Sequence, residues 1–256
     1  MNLKVATYNI LDGGSGREES LSRVLDQIGA DVFLLQEIYD PGWLETYAQR
    51  KGLDFFFAKS NTKRNTGILS RFEIEKACSF RPFPPILKSA VMAKVKLGDK
   101  TTCNFIGVHL VPYPNLISET WRTWEIKTVL RRVMKLNEKK WILAGDFNAI
   151  APNDRVFHRP SSLWRRALGN LQASHRSRST IRNVLEFGFV DCFRTHSTAD
   201  GFTFPSEGPE RRLDYLFVSP ALVKGLRSCL VFGESIDARR ASDHLPVVAE
   251  FELAPS

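Results

Sequence analysis

The chain has 256 residues, of which 43% are apolar and 25% are charged, as in an ordinary globular protein. Its 36 lysines and arginines exceed its 28 acids and give a formal net charge of +8 at pH 7. No apolar run reaches the roughly 18 residues that a membrane span needs, and the first residues lack a signal-peptide pattern. We therefore expect a cytoplasmic protein, without stable membrane association, that folds as one domain over residues 1–256.

The amino-terminal part of the chain alternates short apolar runs with a helical pattern. Residues 3–8 are a predicted strand that ends at Asn9, and residues 32–35 are a second strand that ends in Gln36 and Glu37. A helix is predicted between them from apolar residues with helical spacing, namely Leu21, Val24, Leu25 and Ile28. Gly29 is a plausible end of that helix.

The middle of the chain continues this mixture. A short helix is bracketed by Pro41 and Gly52. Strands are predicted at residues 55–57, 67–70, 91–97 and 101–110, the last two joined as a hairpin. A long helix is then indicated by Ile126, Leu130, Val133 and Met134.

The next strand, residues 141–144, leads into Gly145, Asp146, Phe147 and Asn148. We expect Gly145 to break the strand. If the backbone stays extended beyond it, the side chains of Asp146 and Asn148 point the same way. The alternative is an Asx turn, in which the two residues have only a structural role.

The remaining segments predict helices around residues 163–171 and 180–187, and strands at 213–218, 226–232 and 245–253. Strands and helices are mixed throughout, with no linker between them, which favours α/β layers with mixed or antiparallel sheets. The cysteines Cys78, Cys103, Cys192 and Cys229 are scattered. We interpret them as small apolar side chains and expect neither a zinc site nor a disulfide framework.

The positive charge is concentrated in one segment. Residues 155–182 contain seven arginines and no acid, so they carry almost the whole net charge of +8. We treat residues 151–182 as an arginine-rich insertion that favours a polyanion, with a solvated basic face as the alternative. The predicted contacts to nucleic acid are Arg165, Arg166, Arg176 and Arg178.

Single polar residues recur where predicted strands end. They are Asn9, Glu37, His109, Asp146 with Asn148, and Asp243 with His244, while Asp214 lies inside a strand-like run. Each alone has a structural explanation, such as a cap, a turn or a buried histidine. Together they supply the carboxylates, amides and histidines that metal-assisted hydrolysis of phosphate esters requires.

These residues occur in short motifs that stand in a recognisable order. The motifs are TYNIL with Asn9, LLQE with Glu37, VHL with His109, GDFNA with Asp146 and Asn148, RLDY with Asp214, and SDHLP with Asp243 and His244. The chain thereby resembles the endonuclease/exonuclease/phosphatase superfamily of DNase I-like metal-dependent phosphoesterases, from Asn9 to His244. This resemblance implies a four-layer α/β/β/α sandwich of two mixed β-sheets flanked by helices.

The resemblance also implies a role for each motif residue. The implied metal ligands are Asn9, Glu37 and Asp243. The implied catalytic residues are His109, Asp146, Asn148, Asp214 and His244. Hard oxygen ligands suit Mg²⁺, or Mn²⁺, rather than zinc.

Two positions depart from the pattern of many family nucleases. Leu11 stands where many of them carry a carboxylate, which argues against a second metal at that corner. His109 stands where enzymes that cut at abasic sites tend to carry a tyrosine-containing segment. We therefore expect His109 to place the chain with the DNase I, sphingomyelinase, phosphatase and deadenylase branches.

The leading hypothesis is a monomeric, Mg²⁺-dependent nuclease, with DNA favoured over RNA as substrate. Trp121 and Trp124 could stack on bases, although core packing is the alternative for at least one of them. The second hypothesis is a phosphoesterase that acts on lipid or inositol phosphate headgroups. A third is a nucleic-acid-binding protein without catalysis, which the complete set of acids and histidines disfavours.

Overall fold

A computed structural model describes residues 1–81, 88–99, 101–113, 115–157 and 178–253. The strands in these residues form two six-stranded sheets. The first sheet contains β1 (Asn2–Asn9), β2 (Val32–Ile38), β3 (Asp54–Ala58), β4 (Asn65–Ser70), β11 (Leu226–Val231) and β12 (Val247–Glu252). The second contains β5 (Ile74–Phe80), β6 (Ala90–Gly98), β7 (Thr101–His109), β8 (Trp141–Asp146), β9 (Val190–Asp191) and β10 (Asp214–Val218).

Each sheet mixes parallel and antiparallel pairs. The first has the order β11-β12-β1-β2-β4-β3, and the second has the order β5-β6-β7-β8-β10-β9. Strands β1 and β2 are parallel, as are β7 and β8, whereas the other paired strands are antiparallel. The central strands of each sheet therefore end at the same edge, which brings their last residues together.

Seven α-helices accompany the sheets in the described residues. They are α1 (Glu18–Ile28), α2 (Gly42–Lys51), α3 (Leu116–Leu136), α4 (Ser179–Glu186), α5 (Cys192–His196), α6 (Pro220–Val223) and α7 (Ile236–Ala241). Helices α1, α2 and α7 cover the outer face of the first sheet, and α3 and α4 cover that of the second. The short α5 and α6 add side chains to the apolar layer between the sheets. The four apolar residues that predicted α1 are all buried, and Gly29 ends the helix in the left-handed conformation, as predicted.

The largest apolar cluster lies between the two sheets. Val5 and Leu34 of the first sheet meet Phe105, Ile142 and Leu216 of the second, and all five are fully buried or nearly so. Burying one such side chain typically contributes about 1.5–3 kcal/mol, so this layer holds the sheets together. The predicted four-layer sandwich is confirmed.

Some local predictions differ from the structure. Strand β5 was not predicted, because it is an edge strand whose residues do not alternate between apolar and polar. The short helices α5, α6 and α7 are each six residues or fewer and give too short a pattern to detect. The helix predicted around residues 163–171 lies outside the described residues.

Gly145 does not break the strand, so that expectation is wrong. Strand β8 continues through it to Asp146, and Gly145 adopts a φ of +143°. A Cβ atom at this position would lie 1.9 Å from the carbonyl oxygen of Val108 in the neighbouring strand. Only glycine allows this approach, because it has no side chain to collide with the adjacent backbone.

The remaining composition-based expectations concern cysteines and membranes. Cys103, Cys192 and Cys229 are buried, which agrees with their interpretation as small apolar side chains, whereas Cys78 is half-buried. Within the described ranges, no helix is both long enough and apolar enough to cross a membrane.

Candidate active site

The predicted site residues converge at one edge of the sandwich. Asn9 ends β1, and Glu37 lies near the end of the parallel neighbour β2. In the second sheet, Asp146 of β8 is paired with His109 of β7 on one side and with Asp214 of β10 on the other. Hydrogen bonding between the strands therefore fixes the spacing of three predicted catalytic residues.

Glu37 occupies an irregular position in β2. The pairing of β2 with β4 shifts between Gln36 and Ile38, and Glu37 has a φ of +61°. This bulge turns its carboxylate toward the site. The left-handed conformation is unfavourable for a glutamate, and such strain commonly occurs at functional positions.

Asp146 and Asn148 form an Asx turn that is also part of the site. The backbone N–H of Asn148 donates to Asp146 Oδ1 at 2.9 Å, and Asn148 has a φ of +49°. The backbone is therefore not extended. The side-chain amide of Asn148 nevertheless donates to Asp146 Oδ2 at 3.0 Å, so the turn itself brings the two side chains together.

Asn9, Glu37, His109 and Asp146 form a buried group that we call the carboxylate cluster. Asn9 Nδ2 lies 3.4 Å from Glu37 Oε1 and 3.1 Å from Asp146 Oδ2. His109 Nε2 lies 3.6 Å and 3.5 Å from the same two oxygens. Two carboxylates from different sheets thus face the same amide and the same imidazole, and the distances to the imidazole are longer than a hydrogen bond.

Asp214 and His244 form a second group, the histidine–aspartate pair. His244 Nδ1 and Asp214 Oδ2 are 2.8 Å apart, and the Thr203 hydroxyl donates to the same oxygen at 2.6 Å. The other ring nitrogen, His244 Nε2, points toward Asp146 Oδ2 at 3.9 Å. The pair therefore presents one imidazole nitrogen to the carboxylate cluster.

The two histidines have opposite electrostatic surroundings. Burial alone would lower the pKa of His244, but the charges of Asp214 and Asp146 outweigh it and raise the pKa to about 10. Burial lowers the pKa of His109 well below its usual value, and the nearby Lys88 charge lowers it further. Without a bound cation, His244 is therefore protonated at neutral pH and His109 is neutral.

Asp243 reaches the site from the loop before β12. The Ser242 hydroxyl donates to the carbonyl of Asn9 at 2.6 Å, which ties this loop to the end of β1. Burial raises the pKa of Asp243, and the charges of Glu37 and Asp146 raise it further, while His244 opposes them. Asp243 thus lies within the field of the carboxylate cluster.

The residues fit a hard divalent cation. Two buried carboxylate oxygens, Oδ1 of Asp214 and Oδ1 of Asp243, have no hydrogen-bond partner among the described residues. Glu37 and Asp146 add two further buried carboxylates, whose hydrogen-bond donors are neutral amide and backbone N–H groups. Oxygen donors in this number suit Mg²⁺ or Mn²⁺.

Asp146, Asp214 and His244 each have one possible ligand atom within 4.8 Å of the others, so by distance alone these three residues could share a metal ion. Their hydrogen bonds favour a different assignment of the ligands. Asp214 Oδ2 already accepts from His244 and Thr203, so it orients the imidazole. Glu37, Asp146 and Asp243 are the better carriers of a cation.

Asn9 has a different orientation from a metal ligand. Its side-chain oxygen accepts from the backbone N–H of Leu11 at 3.0 Å, so its NH₂ group faces Glu37 and Asp146. In this arrangement Asn9 orients carboxylates rather than offering an oxygen to a cation. The ligand role of Asn9 stays a prediction.

Several residues that support the site were not predicted. Thr203 anchors Asp214, and the buried amine of Lys88 donates to the carbonyl of Leu110 at 2.8 Å. Burial lowers the pKa of Lys88 to about 7, while Asp146 and Glu125 oppose that shift. Neither residue lies in a periodic pattern or beside a recognisable motif, so the sequence carries no signal for either.

A cleft of about 210 Å³ opens beside these groups. It reaches Asn148 and His244 at one end. Phe204 forms part of the wall of the cleft. The centroid of its ring lies 4.9 Å from the centroid of the His244 ring and 5.7 Å from the guanidinium carbon of Arg211. The cleft thus combines aromatic and basic surfaces next to the carboxylate cluster.

The arginine-rich segment is described only at its ends. Arg165, Arg166 and Arg176 lie outside the described residues. The guanidinium of Arg178 donates to the carbonyl of Ala151 at 2.8 Å and to that of Pro152. This contact brings the two ends of the segment together, close behind Asp146 and Asn148 in the chain.

The family model described as "Endonuclease/Exonuclease/phosphatase family" matches residues 6–244. The chain belongs to that family. Membership confirms the predicted enzyme class, a hydrolase of phosphoric esters, and its dependence on a metal. No curated protein sequence matches the chain.

Three solved structures illustrate the similarity of fold. One is a 3′ phosphatase from Neisseria bound to a product DNA hairpin, with 24% identity and a TM-score of 0.79 over 98% of this chain and 100% of that one. An AP endonuclease from Archaeoglobus fulgidus has 23% identity and a TM-score of 0.77 over 98% and 100%. A truncated TDP2 from Caenorhabditis elegans has 16% identity and a TM-score of 0.72 over 99% and 98%. At these identities the likeness shows the shared fold.

Proposed function

We propose that this protein is a Mg²⁺-dependent phosphodiesterase that hydrolyses nucleic-acid phosphodiester bonds, with DNA favoured over RNA. The observation that carries the proposal is the buried carboxylate cluster next to the histidine–aspartate pair, at the mouth of an aromatic and basic cleft. The fold is also that of a phosphatase bound to a DNA hairpin and of an AP endonuclease. Both similarities support DNA as the substrate class.

The chain's own groups divide the work of hydrolysis. Asp146 accepts two amide donors on Oδ2 and holds or deprotonates the attacking water. His244 Nε2, the ring nitrogen that Asp214 leaves free, donates to a phosphate oxygen as negative charge develops there. We assign to His109, whose Nε2 lies 3.5 Å from Asp146 Oδ2, the role of assisting the leaving oxygen.

Glu37 and Asp243, with Asp146, would hold the cation. Bound Mg²⁺ supplies charge for the phosphate oxygens and lowers the pKa of coordinated water. Fixed carboxylates and a protonated histidine in a buried site act more strongly on developing charge than the same groups in water.

A substrate panel tests the proposal. Supercoiled DNA, single-stranded DNA, RNA, bis-p-nitrophenyl phosphate, and vesicles with sphingomyelin or an inositol phospholipid are each incubated with Mg²⁺ and with chelator. We expect cleavage of DNA and of the aryl diester that stops in chelator. Hydrolysis of the lipids with intact DNA would overturn the nucleic-acid proposal, and binding of DNA without any hydrolysis would overturn catalysis.

A further inference from the structure

Tyr113 lies at the rim of the cleft described above. Its side chain forms part of the cleft lining together with Asn148 and His244. The residue is 67% exposed, which is unusual for an aromatic side chain next to a buried site. An exposed ring at this position is available to a bound molecule.

The backbone at Tyr113 is strained. Its φ is +82°, a conformation that a bulky residue rarely adopts. Strain of this kind persists only where surrounding contacts impose it, and it is concentrated at functional positions. The ring of Tyr113 is therefore held at the rim against its local preference.

Arg122 of α3 supplies the contacts that hold it. One guanidinium nitrogen, Nη1, donates to the carbonyls of Val111 and Tyr113, each at 2.9 Å. The other nitrogens, Nε and Nη2, donate to Glu119 Oε2 at 3.1 Å and 3.0 Å. Arg122 is only 1% exposed, so the loop rests on a buried, fully paired cation.

The rest of the cleft defines what kind of group the ring would meet. Phe204 contributes a second aromatic surface, and Arg211 places its guanidinium over that ring. Arg211 also lines the cleft, so its guanidinium, which lies 3.7 Å from the carboxylate of Glu210, places positive charge beside the aromatic surface. Aromatic faces with a nearby guanidinium suit a planar base attached to a phosphate.

We propose that Tyr113 is a specificity-determining residue whose ring stacks on the base of a nucleotide adjoining the scissile phosphate. Arg122 is a positioning residue that acts through the carbonyls of Val111 and Tyr113. The proposal rests on the proposed function, because it concerns the same site and requires a nucleic-acid substrate.

Substrates that lack one base test this directly. Cleavage of a single-stranded oligonucleotide by the wild-type enzyme is first mapped to a preferred bond. Two further oligonucleotides then carry a tetrahydrofuran spacer in place of the nucleotide on one side or the other of that bond. Steady-state KM and kcat are measured for all three substrates with Mg²⁺.

We expect Tyr113→Ala to raise KM for the complete oligonucleotide by about 5- to 100-fold, the range typical of one stacked base. For the spacer substrate that lacks the stacked base, the KM of Tyr113→Ala should equal that of the wild-type enzyme. Tyr113→Trp and Tyr113→Phe should keep wild-type values. Phe187→Ala is the matched control, because Phe187 is an exposed aromatic at the end of α4 that does not line the cleft.

The possible failures are distinguishable. If the wild-type enzyme cleaves no nucleic acid, the proposed function fails and this inference fails with it. If it cleaves all three substrates and Tyr113→Ala affects them equally, or affects none, only the stacking role is overturned.

Arg122→Lys tests the positioning role. Lysine keeps the charge beside Glu119 but cannot reproduce the planar donor geometry of the guanidinium. We expect the same base-dependent rise in KM as for Tyr113→Ala, and no additional rise when the two changes are combined. An equal loss on every substrate, or full additivity in the double variant, would overturn the positioning role.

Discussion

The two halves of the site are built in opposite ways. In the histidine–aspartate pair, Asp214 Oδ2 is 2.8 Å from His244 Nδ1 and accepts the Thr203 hydroxyl at 2.6 Å. In the carboxylate cluster, the nearest oxygens of Glu37 and Asp146 lie 3.6 Å and 3.5 Å from the same nitrogen, His109 Nε2. The pair sets an anion directly against an imidazole that its charge keeps protonated, whereas within the cluster the two carboxylates meet only the neutral amide of Asn9 and the neutral imidazole of His109.

This difference separates two sources of catalytic geometry. The pair is preorganised by the fold, because Asp214 Oδ2 and His244 Nδ1 share a short hydrogen bond and the Thr203 hydroxyl donates to the same oxygen. The cluster collects like charges whose repulsion a cation would relieve. We therefore expect changes in the pair to affect stability and activity together, and changes in the cluster to affect activity and metal response.

The largest expected effect is in the cluster. Glu37→Gln removes one of a small number of charged ligands, and we expect kcat/KM on DNA to fall by roughly 10³-fold. Added Mg²⁺ should raise the unfolding temperature of the wild-type protein but not of this variant. Initial rates across a Mg²⁺ titration and thermal unfolding with and without Mg²⁺ measure both effects.

Glu73→Gln is the control for Glu37→Gln, because Glu73 is a solvent-exposed carboxylate paired with Lys96 at 3.7 Å. It should leave activity and the Mg²⁺-dependent stabilisation unchanged. Undiminished activity of Glu37→Gln at low Mg²⁺ would rule out Glu37 as a metal ligand.

The next effect is in the pair. Asp214→Asn leaves buried His244 without its counter-charge, and we expect the free energy of unfolding in chelator to fall by about 3 kcal/mol. His244 has a pKa raised from 6.5 to about 10 in the folded protein, so the stabilisation from its partner is complete below pH 6.5. It is lost as pH rises through about 10.

The difference in unfolding free energy between wild type and Asp214→Asn should therefore be largest near pH 6 and shrink toward pH 10. Urea unfolding in chelator at several pH values measures it. A difference that is constant with pH would show that Asp214 stabilises the fold without its charge on His244.

The smallest effect is expected at Thr203. Thr203→Val keeps the shape of the side chain but removes the hydroxyl that donates to Asp214 and accepts from the backbone N–H of Leu213 at 3.1 Å. We expect the free energy of unfolding to fall by about 1–2 kcal/mol and kcat/KM to fall less than 10-fold, since His244 stays paired. Thr195→Val, at an exposed threonine of α5, is the control for both measurements. A loss as large as that of Asp214→Asn would mean that Thr203, rather than Asp214, fixes the imidazole.

The positions of most helices and strands were predicted because periodicity and strand-ending polar residues are local signals, whereas the four-layer arrangement was an implication of the family resemblance. The burial pattern of α1 and the strands that carry Asn9 and Asp146 follow from apolar spacing alone. The order of the motifs then brought the two histidines and the acids into one site. None of this required knowledge of side-chain conformation.

The parts that the sequence did not predict depend on contacts between distant segments. Position 145 must be glycine because the carbonyl oxygen of Val108, in the neighbouring strand, lies where a Cβ atom would be. The sequence around Gly145 does not show this contact, and the predicted strand break was therefore wrong. Thr203 reaches Asp214 from a separate loop, and Arg122 reaches the carbonyl of Tyr113 from a helix. Such contacts leave no periodic signal along the chain.

The left-handed backbone at Glu37 and Asn148 has a consequence for laboratory evolution. Asn148, at a φ of +49°, is of the residue type that tolerates this conformation best after glycine, whereas the glutamate at position 37, at +61°, is not. Glycine or, at Glu37, asparagine would relieve that strain and remove charge or a side chain from a crowded site. Selection for heat resistance alone should therefore enrich replacements at Glu37 first, and the resulting sturdier proteins should be inactive.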